Sequence, residues 1–220
     1  MGKLIVLEGT DGSGKATQTA ALLDRLRREG MDCQKIEFPR YQEESSALIR
    51  EYLRGDFGEK PSDVNAFAAS TFYAVDRYAS YQQDWGGYYR QGGLVIADRY
   101  TTSNAVHQGS KLQGKERTDF FEWLFDYEYR LLGLPKPDLV IYLDVPVDQT
   151  EQNMHRREIQ TGASADIHER DDGYLRACRV AAGEAAERFG WTKIACTKNG
   201  AMRSIDEIHE DVYRAVKEVL

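Results

Sequence analysis

The sequence predicts an α/β fold, one parallel sheet of five strands flanked on both faces by helices. Five short runs rich in β-branched residues, with centres LIVLE, KIEF, LVIAD, LVIYLD and KIA, alternate with much longer segments of helical character. The centres are apolar almost throughout rather than at every second position, as strands covered on both faces must be. At 220 residues and 41% hydrophobic content the chain fits one domain, residues 1–220, with a single substantial core.

In chain order, strands are expected at Lys3–Glu8, Cys33–Phe38, Leu94–Asp98, Asp138–Asp144 and Thr192–Cys196. Helices are expected at Lys15–Glu29, Ser45–Gly55, Ser62–Gln91, Lys115–Leu132, Val147–Gln160, Glu169–Phe189 and Ser204–Val219. Gly30, Gly92-Gly93 and Gly190 stand where helix ends need a left-handed residue. Pro135 and Pro137 separate a helix from the fourth strand. The small, polar stretch Gln160–Asp166 between helical flanks reads either as the centre of a lid, about residues 156–170, or as a surface loop.

Charge and composition exclude several classes. A net charge of −7 argues against a protein that coats nucleic acid, which needs a basic surface to displace counterions. It leaves room for a few arginines focused in one cleft around a small anion. The apolar runs are short and interrupted by charge, so none spans a membrane. Met1–Val6 runs directly into the first strand and reads as the start of the fold, not as a signal peptide. Cys33, Cys178 and Cys196 are odd in number and lack metal-ligand spacing, which fits a reduced cytoplasm.

Gly9-Thr10-Asp11-Gly12-Ser13-Gly14-Lys15 follows the first strand and opens the first helix. It matches the first seven positions of the pattern G-x-x-x-x-G-K-[ST]. Glycines there let the backbone curl so that N–H groups point at phosphate oxygens. The helix N-terminus adds positive potential, and the lysine reaches the β- and γ-phosphates of ATP. With the strand order above, this is the signature of a three-layer P-loop NTPase fold carrying a small lid. The eighth position is Ala16, where a hydroxyl normally ligates Mg²⁺. Thr17 lies about 100° further round the helix and cannot simply substitute. Either other groups hold the metal, or the loop binds nucleotide without turning it over.

Other residue groups belong to the same edge of the sheet. Asp98-Arg99 ends the third strand, where open α/β sheets bind ligands; a carboxylate there can organise Mg²⁺ waters and an arginine can neutralise a transferring phosphate. Arg40 follows the second strand and would face that cleft, and Phe38 either lines it or is buried at the strand end. Tyr73 and Arg77 are four apart on one helical face, so a ring can stack on a base while a guanidinium meets its carbonyl edge or a phosphate. Asn104 and Gln108, also four apart, can present amides to O4 and N3 of a pyrimidine. Tyr100 and His107 are assigned no chemistry. Lys198-Asn199-Gly200 after the last strand is either a border of the adenine site or a plain turn.

Taken in order, Phe38-Pro39-Arg40-Tyr41, Tyr73–Arg77, Asp98-Arg99-Tyr100, Ser103-Asn104, Gln108, Pro137–Asp144 and Asp166–Asp171 resemble the thymidylate kinases from end to end. The resemblance implies transfer of the ATP γ-phosphate to dTMP, a homodimer, and Mg²⁺ as the cofactor. It assigns Asp98 to the metal or its waters, Arg99 and Arg40 to the acceptor phosphate, and Asp11 to the sugar 3′-hydroxyl near the metal. The phosphate loop holds no arginine, which is similar to the branch that supplies the transition-state cation from the lid. Arg156 is then the first candidate, ahead of Arg157, with Arg170 on the far side. Glu169, and Asp166 unless it caps the following helix, would help Asp11 and Asp98 compensate for Ala16. Tyr73 departs from the family's usual phenylalanine, and His107 from its usual aromatic. A kinase for UMP or CMP, and a sensor that binds ATP without transferring phosphate, are the competing readings.

Overall fold

The computed structural model describes residues 1–150, 152–154 and 172–220. Its strands β1 (Lys3–Glu8), β2 (Cys33–Glu37), β3 (Leu94–Asp98), β4 (Leu139–Asp144) and β5 (Thr192–Ala195) form one parallel sheet in the order β2-β3-β1-β4-β5. All five expected strands are present, with β2, β4 and β5 one residue shorter than expected. Early connections run to one side of β1 and later ones to the other, so the crevice of this doubly wound sheet opens at the carboxyl ends beside β1. The register fixes what meets there: Leu7 pairs with Asp98, and Asp98 with Glu37. The loops that follow β1, β2 and β3 therefore leave the sheet at one level.

Side chains alternate along β1 into two cores. Ile5 and Leu7 pack with Leu22 and Leu26 of α1 (Lys15–Arg28) and with Ile208 and Val212 of the last helix. Leu4 and Val6 pack on the opposite face with Trp85, Tyr89 and Tyr100. Burial on both sides explains the continuous apolar runs. The remaining helices are α2 (Ala47–Arg54), α3 (Ala66–Ser80), α4 (Gly86–Arg90), α5 (Thr101–His107), α6 (Gly114–Phe125), α7 (Asp172–Phe189) and α8 (Ile205–Lys217).

Two expected helices are not continuous. The stretch expected at Ser62–Gln91 begins with a 3₁₀ turn at Pro61–Asp63, and α3 starts only after Asn65, whose side chain accepts from the Ala68 N–H as an N-cap. A π-helical turn at Tyr81–Trp85 then widens the helix before α4. Gly86 permits that turn, because a Cβ there would lie 2.2 Å from the Tyr81 carbonyl oxygen. Likewise α6 ends at Phe125 and passes into a π-helical stretch, Asp126–Leu131. Residues 147–150 and 152–154 are helical, as expected for that segment. The lid at 156–170, with Arg156, Arg157, Asp166, Glu169 and Arg170, lies outside the described residues.

One element was not anticipated. After β5 the chain forms a small antiparallel hairpin, β6 (Thr197–Lys198) and β7 (Ala201–Met202). Its two-residue turn is Asn199-Gly200, both at positive φ (53° and 80°), the sequence preferred in such hairpins. Among the described residues no helix is long and apolar enough to cross a membrane, and the three cysteines are free and buried.

Candidate active site

The phosphate loop joins β1 to α1. Gly12 sits at φ 76° with the Thr150 carbonyl packed over it, so that a Cβ would approach that oxygen to 2.4 Å. The Asn153 amide donates to the Gly12 carbonyl at 2.9 Å and ties the segment after β4 to the loop. Lys15 Nζ donates to the carbonyls of Gly9 (2.7 Å) and Thr10 (2.9 Å), spanning the loop's mouth. Burial, then the neighbouring Arg99 charge, lowers the Lys15 pKa to about 8 against the opposing pull of Asp11, Glu8 and Asp98. Ala16 and Thr17 both lie on the cavity wall.

Across from the loop stands Arg99, a non-glycine residue at φ 68°. That backbone conformation costs on the order of 1–3 kcal/mol and persists where surrounding structure dictates it; here the Arg99 N–H donates to the Leu7 carbonyl at 3.2 Å. The left-handed turn carries the guanidinium back towards β1, where it forms an ion pair with Asp11 of the phosphate loop. Its Nη1 lies 3.4 Å from the Ser103 hydroxyl and 3.0 Å from His107 Nε2. Arginine only donates, so His107 Nε2 accepts and the ring proton sits on Nδ1, 3.7 Å from Cys178 Sγ. His107, given no role by its sequence, is therefore a partner of the central arginine. Burial of Arg99 works against its charge, but Asp11, Glu8 and Asp98 outweigh it and hold the guanidinium protonated.

Asp98 lines the same space. Burial pushes its carboxyl up, with Lys15 and Arg99 pulling the other way. Among the described residues no hydrogen-bond donor reaches its carboxylate, and none of them form a cluster of three metal-ligating side chains. The space is a cavity of about 910 Å³, running from the phosphate loop and Asp98-Arg99 to Tyr73, Arg77, Asn104 and Gln108 at one end and Met202, Arg203 and Ile205 at the other. The hairpin and the start of α8 thus border the end away from Tyr73, rather than residues 198–200 themselves.

Most of the residues expected at the acceptor end do meet there. Phe38 lines the cavity while packing against Tyr100, ring centroids 6.1 Å apart. Gln108 is fully buried, and both polar atoms of its amide lack a partner among the described residues. Such orphaned groups are costly unless something fills them. Arg77 is 1% exposed and forms a bidentate pair with the fully buried Glu128, Nε to Oε2 at 2.6 Å. Removing one partner of such a pair typically costs about 3–5 kcal/mol, because the other charge stays buried.

Arg40 is placed differently from expectation. It does not line the cavity. Its Nε donates to Asp76 (3.1 Å), its Nη2 to the Ser45 hydroxyl (3.0 Å), and its Nη1 pairs with Asp84. Two carboxylates from α3 and the π-helical turn beyond it compete for the guanidinium, and nothing in the local sequence around Arg40 announces them.

A cavity that starts at a phosphate loop, passes two focused cations and ends between an aromatic ring and the orphaned amide of Gln108 accommodates two nucleotides whose phosphates meet. That arrangement defines a nucleoside monophosphate kinase of the P-loop class. Comparison with known proteins narrows the class. The thymidylate kinase family model matches residues 7–212. The chain is 33% identical over 190 residues to thymidylate kinase of Mycobacterium tuberculosis, covering 86% of this chain and 87% of that protein. It is 30% identical over 221 residues to the probable thymidylate kinase of Pyrococcus abyssi, covering 100% and 98%. The fold matches the solved structure of thymidylate kinase from Candida albicans with a TM-score of 0.71 at 20% identity, covering 99% of this chain and 92% of that one. The chain belongs to the thymidylate kinase family, and it is a phosphotransferase that phosphorylates dTMP with ATP. The UMP/CMP kinase and sensor readings are not favoured.

Proposed function

We propose that the transfer runs in line through the centre of this cavity, with ATP phosphates on Gly9–Lys15 and the dTMP phosphate on Arg99. The observation that carries this reading is the Arg99–Asp11 contact, which brings the loop after β1 and the residue after β3 face to face. Phosphoryl transfer of this kind asks for positioning and charge neutralisation more than for covalent help. Lys15 neutralises the β- and γ-phosphates, Arg99 the acceptor phosphate, and a lid arginine, Arg156, completes the set. Lid closure excludes water and suppresses ATP hydrolysis. Arg40 reaches the acceptor phosphate only by leaving Asp76 and Asp84.

The donor set fits Mg²⁺, which is normally held by one or two carboxylates together with waters and substrate phosphates. Asp98, a cavity-lining carboxylate no donor reaches among the described residues, would hold the ion or its waters, joined by Asp11 and Glu169. The ion supplies charge neutralisation at the phosphates. A homodimer is supported by Phe67, Val75 and Tyr78, which expose apolar surface along one side of α3. The cytoplasm suits a chain whose cysteines are all unpaired.

At the base end, Tyr73 stacks on the ring, while Arg77 and the Asn104 and Gln108 amides meet O4 and N3. This predicts an acceptor ranking. With ATP in excess, dTMP and dUMP are phosphorylated, and kcat/KM for dCMP is at least about 10³-fold lower, because cytosine inverts the donor and acceptor at both positions. A dCMP value within tenfold of dTMP would contradict the base assignment.

A further inference from the structure

Glu128 sits in the π-helical stretch after α6, four residues beyond the buried Leu124 and on the same side as Arg117 and Phe121. Its neighbours Asp126 and Arg130 face outward and pair with each other. Glu128 is instead fully buried and collects every nearby donor. Arg77 approaches it with Nε and Nη2, the Thr101 hydroxyl donates to Oε2 at 2.7 Å, and Asn104 Nδ2 lies 3.4 Å from Oε1. One carboxylate thus touches residues of α3 and α5 that both line the cavity.

An ionised carboxylate only accepts, and so does a backbone carbonyl. The Asn104 amide is held between two such acceptors, Glu128 and the Ser70 carbonyl at 3.2 Å. Its NH₂ must point at them, which leaves Oδ1 as the atom it can offer to a ligand. Arg77 is fixed by the same carboxylate, and its remaining N–H groups are donors only. The pair therefore presents one acceptor and one donor in a set order. We infer that Glu128 is a positioning residue for acceptor specificity: it locks the Asn104 amide and the Arg77 guanidinium in the orientation that admits a base with an N3–H donor and an O4 acceptor and refuses one with the reverse pattern. The inference rests on the base-end reading above and adds its cause.

Glu128→Gln tests it. A glutamine amide can donate to Asn104 Oδ1, so one of the two acceptors that hold the Asn104 NH₂ no longer demands it. Only the Ser70 carbonyl still opposes a turned amide that offers NH₂ to N3 of cytosine. The expected result is a KM for dTMP raised about tenfold or more, an unchanged KM for ATP, and a dTMP over dCMP preference that falls at least about tenfold. Glu128→Asp keeps the buried charge opposite Arg77 while withdrawing the carboxylate by one methylene, and serves if the glutamine variant does not fold. It is expected to raise the dTMP KM alone. A folded variant with an unaltered dTMP KM and dCMP preference would overturn the inference, and so would parallel rises in both KM values. Arg77→Ala and Asn104→Ala, assayed alongside, separate the two claims. If they raise the dTMP KM and the Glu128 variants do not, only the positioning role fails. If neither does, the base-end assignment fails with it.

Discussion

Lys15→Met lowers kcat by at least about 10²–10³-fold while the protein keeps its fold. The side chain is buried against the carbonyls of Gly9 and Thr10, so methionine preserves the stem and removes the charge together with the two hydrogen bonds to those carbonyls. Losing a preorganised cation at a site where transition-state charge develops costs that much or more. A second readout follows from the pKa. In the free protein Lys15 is held at about 8, below its ordinary 10.5. A triphosphate arriving beside it favours the charged form and raises that value again. Above pH 8 the wild-type protein therefore takes up a proton as it binds ATP, so the calorimetric heat at pH 8.5 depends on the ionisation enthalpy of the buffer. The same depressed pKa makes the free protein gain stability as pH rises from about 8 towards 10.5, because only the unfolded chain still binds that proton. Lys15→Met is expected to lose both the uptake and this gain. Near-normal turnover in the variant, or a buffer-independent heat in the wild type, would count against the assignment.

Arg99→Lys fails to restore what Arg99→Ala removes. Removing one preorganised group that stabilises charge in the transition state costs about 10²–10³ in kcat, and the alanine variant, which loses the cation at the acceptor phosphate, is expected in that range. Lysine keeps the charge but not the planar fork, which here spans Asp11 on the loop and Ser103 and His107 on α5. It is expected to recover less than tenfold. Recovery to near wild-type turnover would mean that bare charge suffices and that the bridge between the loop and α5 is incidental.

How much of this was legible in the sequence divides by distance along the chain. The sheet was read almost residue by residue, because strands buried on both faces announce themselves in consecutive apolar residues. The phosphate loop was read because its chemistry is contiguous. Asp98-Arg99 was placed at the right edge by the rule that ligands meet strand carboxyl ends, and the register of Leu7 against Asp98 shows why that works. What could not be read was set by partners far away. Arg40 looked free to meet a phosphate, but Asp76 and Asp84, 36 and 44 positions on, hold it. Glu128 drew no reading from the sequence, because what gives it a role is its pairing with Arg77, 51 positions earlier. The left-handed backbone of Arg99 breaks the usual preference for glycine and has no local signal. By contrast, the hairpin at 197–202 carried a readable one in Asn199-Gly200.

The most direct test is a crystal structure with a bisubstrate ligand in which adenosine and thymidine are joined through a chain of five phosphates. The expected density runs the phosphates past Lys15 to Arg99, with the adenosine near Met202 and the thymine against Tyr73, Arg77 and Asn104. Density with the thymidine half outside that cavity, or the phosphate chain away from Arg99, would contradict the account at its centre.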